Sequence, residues 1–224
     1  MSDSYFIGID VGTQGARVVL VDADGNIVAA REEGFPLNDQ SREEQDPSIW
    51  WEACRRSLKS LTDEASRLIF LPAIKSIAVT STSGTVIPLD EKREPLHHAI
   101  MYSDKRSAAE GKLCREMALQ FHNDGYTGFN SSSGLSKILW YVRRFPEKAG
   151  RVTKWIHASD YVTGRLTGSW GITDYTNALK SGFDLKRKEW PSYLFDRLGL
   201  RKEWFPEVVP SGTPLGRISP GVAA

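Results

Sequence analysis

Cysteine is almost missing from this sequence: among 224 residues only Cys54 and Cys114 occur, far apart in the chain. That scarcity argues against a disulfide framework and leaves a reduced, cytoplasmic compartment as the expectation. The four histidines, His97, His98, His122 and His157, have no Cys/His partners at zinc-ligand spacing. Long hydrophobic runs are lacking too, and no window approaches the ~20 apolar residues of a membrane span. Met1-Ser2-Asp3-Ser4 has neither the basic region nor the apolar stretch of a signal peptide. An excess of one charge is also absent. Lys+Arg 29 against Asp+Glu 28 leaves a formal net charge of +1, which gives no global attraction to nucleic acid or an anionic bilayer. What remains is 40% hydrophobic, 10% aromatic and 25% charged residues, enough apolar material to bury a core without staples. The expected class is a soluble, intracellular globular protein.

The first thirty residues read as a strand meander. Residues 5–9, 17–22 and 26–29 are short apolar runs, and Asp24-Gly25 between the last two is a hairpin signal because both residues tolerate positive φ. Asp46-Pro47 opens a helix, with Asp46 as N-cap acceptor and Pro47 at the first helical position. Trp50, Cys54, Leu58, Leu61, Ala65 and Leu68 recur at three- and four-residue steps opposite Glu52, Arg55, Arg56, Lys59 and Glu64. That periodicity predicts an amphipathic helix packed on a sheet. Strands are expected at 74–79 and 86–89, and helices over 104–121 and 134–145, where Pro146 ends the second. A short strand at 153–156 and a short helix at 159–166 follow. Antiparallel strands, then strands alternating with helices, indicate an α/β fold with a mixed sheet flanked by helices. Pro210, Gly212, Pro214, Gly216, Pro220 and Gly221 read as the approach to a second domain.

The link between the first two strands, Asp10-Val11-Gly12-Thr13-Gln14-Gly15-Ala16, is richer in small and polar residues than a plain turn requires. Its backbone N–H groups could face an anion. Gly12 and Gly15 would allow close backbone approach, Thr13 would add a hydroxyl, and Asp10 would hold hydrated Mg²⁺ between protein and phosphate. The same residues also suit a tight turn whose Asp merely accepts backbone hydrogen bonds. No Gly-Lys-Ser/Thr follows, which excludes a Walker A loop, and no helix follows, which excludes a dinucleotide fingerprint.

Together with Arg17, this segment resembles the Asp-x-Gly-Thr-x-x-x-Arg hairpin that opens the amino-terminal domain of the FGGY carbohydrate kinases. Further stretches resemble the same family in the right order: Gln45-Asp46-Pro47 with Trp50-Trp51, Leu89-Asp90 through Asp104-Lys105-Arg106, Lys137-Ile138-Leu139-Trp140, and Asp160-Tyr161 with Leu166-Thr167-Gly168 and Thr173-Asp174. The resemblance spans essentially the whole chain. Asp174 to Asp184 with Trp190-Pro191-Ser192-Tyr193-Leu194, and the stretch from Ile77 to Thr85, are similar to pentulose kinases that act on D-ribulose. Xylulokinases carry Gln-Met-His-Gly in the latter stretch and glycerol kinases an Arg-Glu pair, and neither stands here.

The resemblance implies an actin-like (ribonuclease H-like) fold, with residues 1–224 forming the amino-terminal, sugar-binding domain and the ATP-binding domain lying outside this chain. It implies ATP and Mg²⁺ as cofactors, a ketopentose acceptor (D-ribulose before D-xylulose), and no nucleic acid or membrane partner, with a homodimer left open. Carried over residue by residue, Asp10 would organise Mg²⁺ and the acceptor hydroxyl, Gly12, Thr13 and Gln14 would face the phosphates, and Ser83 with Thr82 would meet the ketose. The family's proton-accepting Asp has no counterpart here. A reading from another class is a non-catalytic actin-like domain that binds a sugar or a partner protein, and Ser83 equally suits a satisfied strand-end hydroxyl. Asp104 and Arg106 fit the family pattern and equally a helix N-cap with an ion pair. Asp160 and Asp174 read as caps or turn residues, Trp50-Trp51 as core and domain-packing residues, and Lys186-Arg187-Lys188-Glu189 as a solvated loop.

Overall fold

The structure is a computed structural model and describes residues 4–223. The reading of Met1-Ser2-Asp3 as free of a leader, and that of a domain beyond Ala224, lie outside the described residues. In chain order the elements are β1 (Tyr5–Val11), β2 (Gly15–Asp22), β3 (Ile27–Gly34), β4 (Glu44–Gln45), α1 (Pro47–Ala65), β5 (Ile74–Ser81), β6 (Ile87–Leu89), β7 (Ala99–Ile100), α2 (Ala108–Phe121), α3 (Gly134–Arg144), α4 (Pro146–Ala149), β8 (Lys154–Ile156), α5 (Ala158–Thr167), β9 (Ile172–Asp174), α6 (Tyr175–Lys180), α7 (Tyr193–Asp196), β10 (Glu207–Val209) and α8 (Pro220–Ala223). They divide into two compact units that interleave in sequence, residues 1–38 with 46–82 and residues 39–45 with 83–224.

The first unit is a mixed sheet in the order β3-β2-β1-β5, antiparallel except where β1 and β5 run parallel. Alternation along a strand puts Ile7, Ile9 and Val11 of β1 and Val18 and Leu20 of β2 into the core. Helix α1 packs over β2 and β3, burying Trp50, Ala53, Cys54, Leu61 and Ala65 at three- and four-residue spacing. Trp50 lies in the core and Trp51 beside it is half-buried. Asp46 caps α1 as expected, its carboxylate accepting from the Ser48 N–H at 2.9 Å. The helix stops at Ala65, short of the expected Leu68, where the Ser66 hydroxyl turns back onto the Asp63 carbonyl and Leu68 is left exposed. Strand β3 continues to Gly34, five residues past the expected end. Its charged half is held by Arg31 to Glu64, Arg56 to Glu33 and Arg17 to Glu32.

The second unit has helices α2 and α3 and three two-stranded pairs, β4 with β7, β6 with β8 and β9 with β10. Its core gathers Val86, Ile100, Cys114, Leu135, Ile138 and Trp155 among others. Helix α2 starts at Ala108 instead of residue 104, with Ser107 at the N-cap position, so Asp104 is not the cap. Asp104 instead forms a local turn by accepting from the Arg106 N–H at 2.8 Å. Pro146 ends α3 and also supplies the first residue of α4, where its missing N–H costs nothing. Residues 185–189 are exposed, in line with a solvated loop. Among the described residues no helix is long and apolar enough to cross a membrane.

Candidate functional site

Strands β1 and β2 pair with Asp10 opposite Arg17 and Val11 opposite Ala16. The intervening loop closes on itself, the Gly12 N–H donating to the Gly15 carbonyl at 3.0 Å. It is anchored outward as well, since the Gln14 carbonyl accepts from the Phe35 N–H at 2.8 Å. A Cβ on Gly15 would stand 2.6 Å from the Glu33 carbonyl oxygen, so this glycine admits β3 and does not make room for a phosphate. The Gly12 N–H is likewise committed to the hairpin, and a Cβ on Gly12 would crowd the same Gly15 carbonyl oxygen at 3.2 Å. Thr13 is half-buried and Gln14 exposed.

The Asp10 carboxylate remains 45% exposed, with the Arg17 guanidinium 3.5 Å away and itself shared with Glu32 at 3.1 Å. Strand β5 lies parallel to β1 with Thr80 beside Asp10, so the exposed Thr82 leaves the sheet at the same end as the loop. Carboxyl ends of neighbouring parallel strands are the usual place for a ligand in an open α/β sheet. Among the described residues no three His, Cys, Asp or Glu side chains cluster as a metal cage. A single water-exposed carboxylate fits Mg²⁺, which keeps several waters and is commonly shared between one or two carboxylates and substrate phosphates. A groove of about 600 Å³ opens at the other end of β1, beside Tyr5, Leu68, Phe70 and Lys75.

Ser83 begins the longer segment of the second unit and is half-buried. The following Gly84 has φ +90°, and a Cβ there would stand 2.4 Å from the Ser132 carbonyl oxygen, so both conformation and space demand glycine. The Thr85 hydroxyl accepts from the Tyr102 N–H at 3.1 Å. Beneath this turn the Lys137 side chain is fully buried. Its Nζ donates to the Ser131 carbonyl and lies 3.5 Å from those of Tyr102 and Asp104. Burial draws the amine down to about 8, against the pull of Asp104 and with some help from Arg106. The buried Asp104 is paired with Arg106, which also reaches Glu44 at 2.6 Å and lies 4.6 Å from the Trp140 ring centre. These contacts hold the Arg106 guanidinium above its ordinary value, with Asp104 as the main cause. Of the local reading of Asp104 and Arg106 as an N-cap with an ion pair, the ion pair is present and the N-cap is not. Lys137 escaped notice as more than a motif position. The available signal was a lysine set among Leu135, Ile138 and Leu139 in a stretch of helix buried on every side.

Residues 5–224 match the profile described as FGGY family of carbohydrate kinases, N-terminal domain. The chain belongs to this family. The xylulose kinase of Escherichia coli K12 is 28% identical over 222 residues, covering 97% of this chain and 45% of the relative. The glycerol kinase of Thermococcus onnurineus is 29% identical over 229 residues, with 96% and 44% covered. The crystal structure of gluconate kinase from Lactobacillus acidophilus superposes with a TM-score of 0.86 at 27% identity, over 99% of this chain and 45% of that one. This FGGY chain spans about half the length of the curated relatives it matches. Its fold is the actin-like α/β fold with a mixed sheet and flanking helices.

The other polar clusters of this FGGY chain hold the fold together. His157 joins the Asp160 carboxylate and the Ser181 hydroxyl, each at 2.9 Å, and Thr173 donates to Asp160 at 3.1 Å. The arrangement has the order of a nucleophile triad, but Ser181 is 2%, His157 2% and Asp160 9% exposed, which denies a substrate access. Asp160 completes a capping box on α5, and Asp174 caps α6 through the Asn177 N–H at 2.9 Å. Both carboxylates are caps, as their sequence positions suggest. His122 pairs with Asp184 at 2.7 Å in a similar buried tie.

Proposed function

We propose that this chain is the sugar-binding domain of a longer, cytoplasmic ATP-dependent kinase that phosphorylates a ketopentose hydroxyl, with D-ribulose preferred to D-xylulose. The observation that carries this reading is the half-exposed Asp10 carboxylate at the carboxyl end of β1, beside a glycine-closed loop in a chain of the FGGY family. ATP with Mg²⁺ would supply the transferable phosphoryl group and neutralise its charge. Asp10 fixes a negative charge where the cation and the acceptor hydroxyl need orientation. Thr13 and Gln14 offer polar groups at the loop tip, and Gly12 stands beside them toward the phosphates. Ser83 and Thr82 take hydrogen bonds from the ketose. Ser81-Thr82-Ser83-Gly84 stands where xylulokinases carry Gln-Met-His-Gly, which favours D-ribulose over the substrate in the name of the Escherichia coli relative. The reading assigns the proton-accepting carboxylate to a part of the protein outside this chain.

The test is ADP release by the complete gene product over a panel of ketoses and polyols, with Ser83→Ala beside the wild type. Losing a hydrogen-bond partner in a buried site costs ~1–3 kcal/mol, so sugar efficiency should fall roughly tenfold to a hundredfold while sugar-free ATP hydrolysis falls less. Equal loss of both would remove Ser83 from the sugar contacts.

A further inference from the structure

Lys137 is a buried charge that no step of the proposed reaction uses. Its ammonium has three N–H donors, and three backbone carbonyls surround it, those of Ser131, Tyr102 and Asp104. Asp104 spends its carboxylate on Arg106, so Lys137 serves carbonyls, not a carboxylate. Burying an ammonium is costly, and a leucine or methionine would fill the same helix face more cheaply if packing alone were needed. The carbonyls belong to irregular segments, which have no ladder to satisfy them. Those same segments touch the Ser83-Gly84 turn: the Ser132 carbonyl and the Tyr102 Cβ are the atoms a Gly84 side chain would meet, at 2.4 and 3.6 Å. Tyr102 is also tied to Thr85 through its N–H. The base beneath them is packed, with Gly134, Leu135, Ser136, Ile138 and Leu139 of α3 all buried.

We infer that Lys137 is a positioning residue for sugar selection: its ammonium joins the 102–104 segment to Ser131, and the joined segments form the seat that holds the Ser83-Gly84 turn toward the ketose. The inference rests on the proposed sugar-binding role of Ser83. Lys137 touches no substrate and acts through the turn alone.

Two readouts on the complete gene product test it. In hydrogen exchange, Lys137→Met should speed exchange in peptides covering 82–87 and 101–107 by about tenfold or more, with the β1–β2 hairpin unchanged as internal control. In kinetics, the same substitution should raise the ketose KM about tenfold with a smaller change in kcat, and adding it to Ser83→Ala should worsen KM by less than about twofold. Gly84→Ala displaces the turn from the opposite side and should reproduce the KM effect, which keeps the test alive if Lys137→Met does not fold. Unchanged exchange at 82–87, or fully additive losses in the double variant, would overturn the inference. A wild type that phosphorylates no sugar would defeat the kinase reading instead, and the exchange data would still decide whether Lys137 builds the seat.

Discussion

The buried Lys137 amine makes the stability of this protein depend on alkaline pH in a direction opposite to that of its buried acids. In the folded protein it is held down to about 8, against an ordinary 10.5. Below pH 8 both folded and unfolded chains carry the proton, and the cost of burying the charge is constant. Between pH 8 and 10.5 the folded protein releases the proton while the unfolded chain keeps it, so the unfolded state binds more protons and stability rises with pH. The gap between the two values corresponds to roughly 3 kcal/mol. Other groups pull the other way: burial pushes the Cys54 and Cys114 thiols from 9.0 up to about 12 and the Tyr141 phenol from 10.0 up to about 12. Their contribution is complete below the unfolded values and is lost as pH climbs from about 9 toward 12. The lysine is isolated by subtraction. Urea unfolding of the wild type and Lys137→Met at a series of pH values should show the difference moving toward the wild type by roughly 3 kcal/mol between pH 8 and 10.5. A flat difference, or one moving toward the variant, would refute the burial of this amine.

Gly15→Ala should destabilise the first unit by about 1–3 kcal/mol, because its new methyl would stand 2.6 Å from the Glu33 carbonyl and two backbones cannot part cheaply. A variant as stable as the wild type by urea titration would contradict the pairing of Gly15 with Gly34. Asp46→Ala should cost about 1 kcal/mol through loss of the α1 cap, read as a lower unfolding midpoint, and a neutral result would show that the cap is idle. Ser181→Ala strips His157 of its Nε2 partner and should cost about 1–3 kcal/mol by thermal unfolding. No loss there would mean the buried tie contributes nothing.

Much of the first unit was legible because its signals are local. Asp24-Gly25 makes the expected turn, with Gly25 at φ +86° and the Asp22 carboxylate accepting from the Asp24 and Asn26 N–H groups. Asp46-Pro47 starts the helix it announces. The extension of β3 was hidden because Arg31, Glu32 and Glu33 look like a loop until the ion pairs that hold them are known. The pairing of β9 with β10 joins Ile172 to Glu207, a separation no local pattern reveals. At the loop after β1 the sequence marked a cluster of small and polar residues, and the structure shows that one of them, Gly15, serves β3. Local reading cannot tell which neighbour a glycine makes room for. Lys137 was concealed for a related reason: its partners are backbone carbonyls, which leave no residue-type signature.

The most direct test is phosphoryl transfer by the complete gene product with Mg²⁺ and ATP, followed as mass of phosphorylated sugar over D-ribulose, D-xylulose, glycerol and gluconate, for the wild type and Asp10→Asn. D-ribulose phosphate should be the leading product of the wild type. Asp10→Asn should give none above background, and because its half-exposed side chain packs little, its unfolding midpoint should match the wild type. A wild type that phosphorylates no sugar in the panel, or an Asp10→Asn variant with near-normal turnover, would contradict the proposed function.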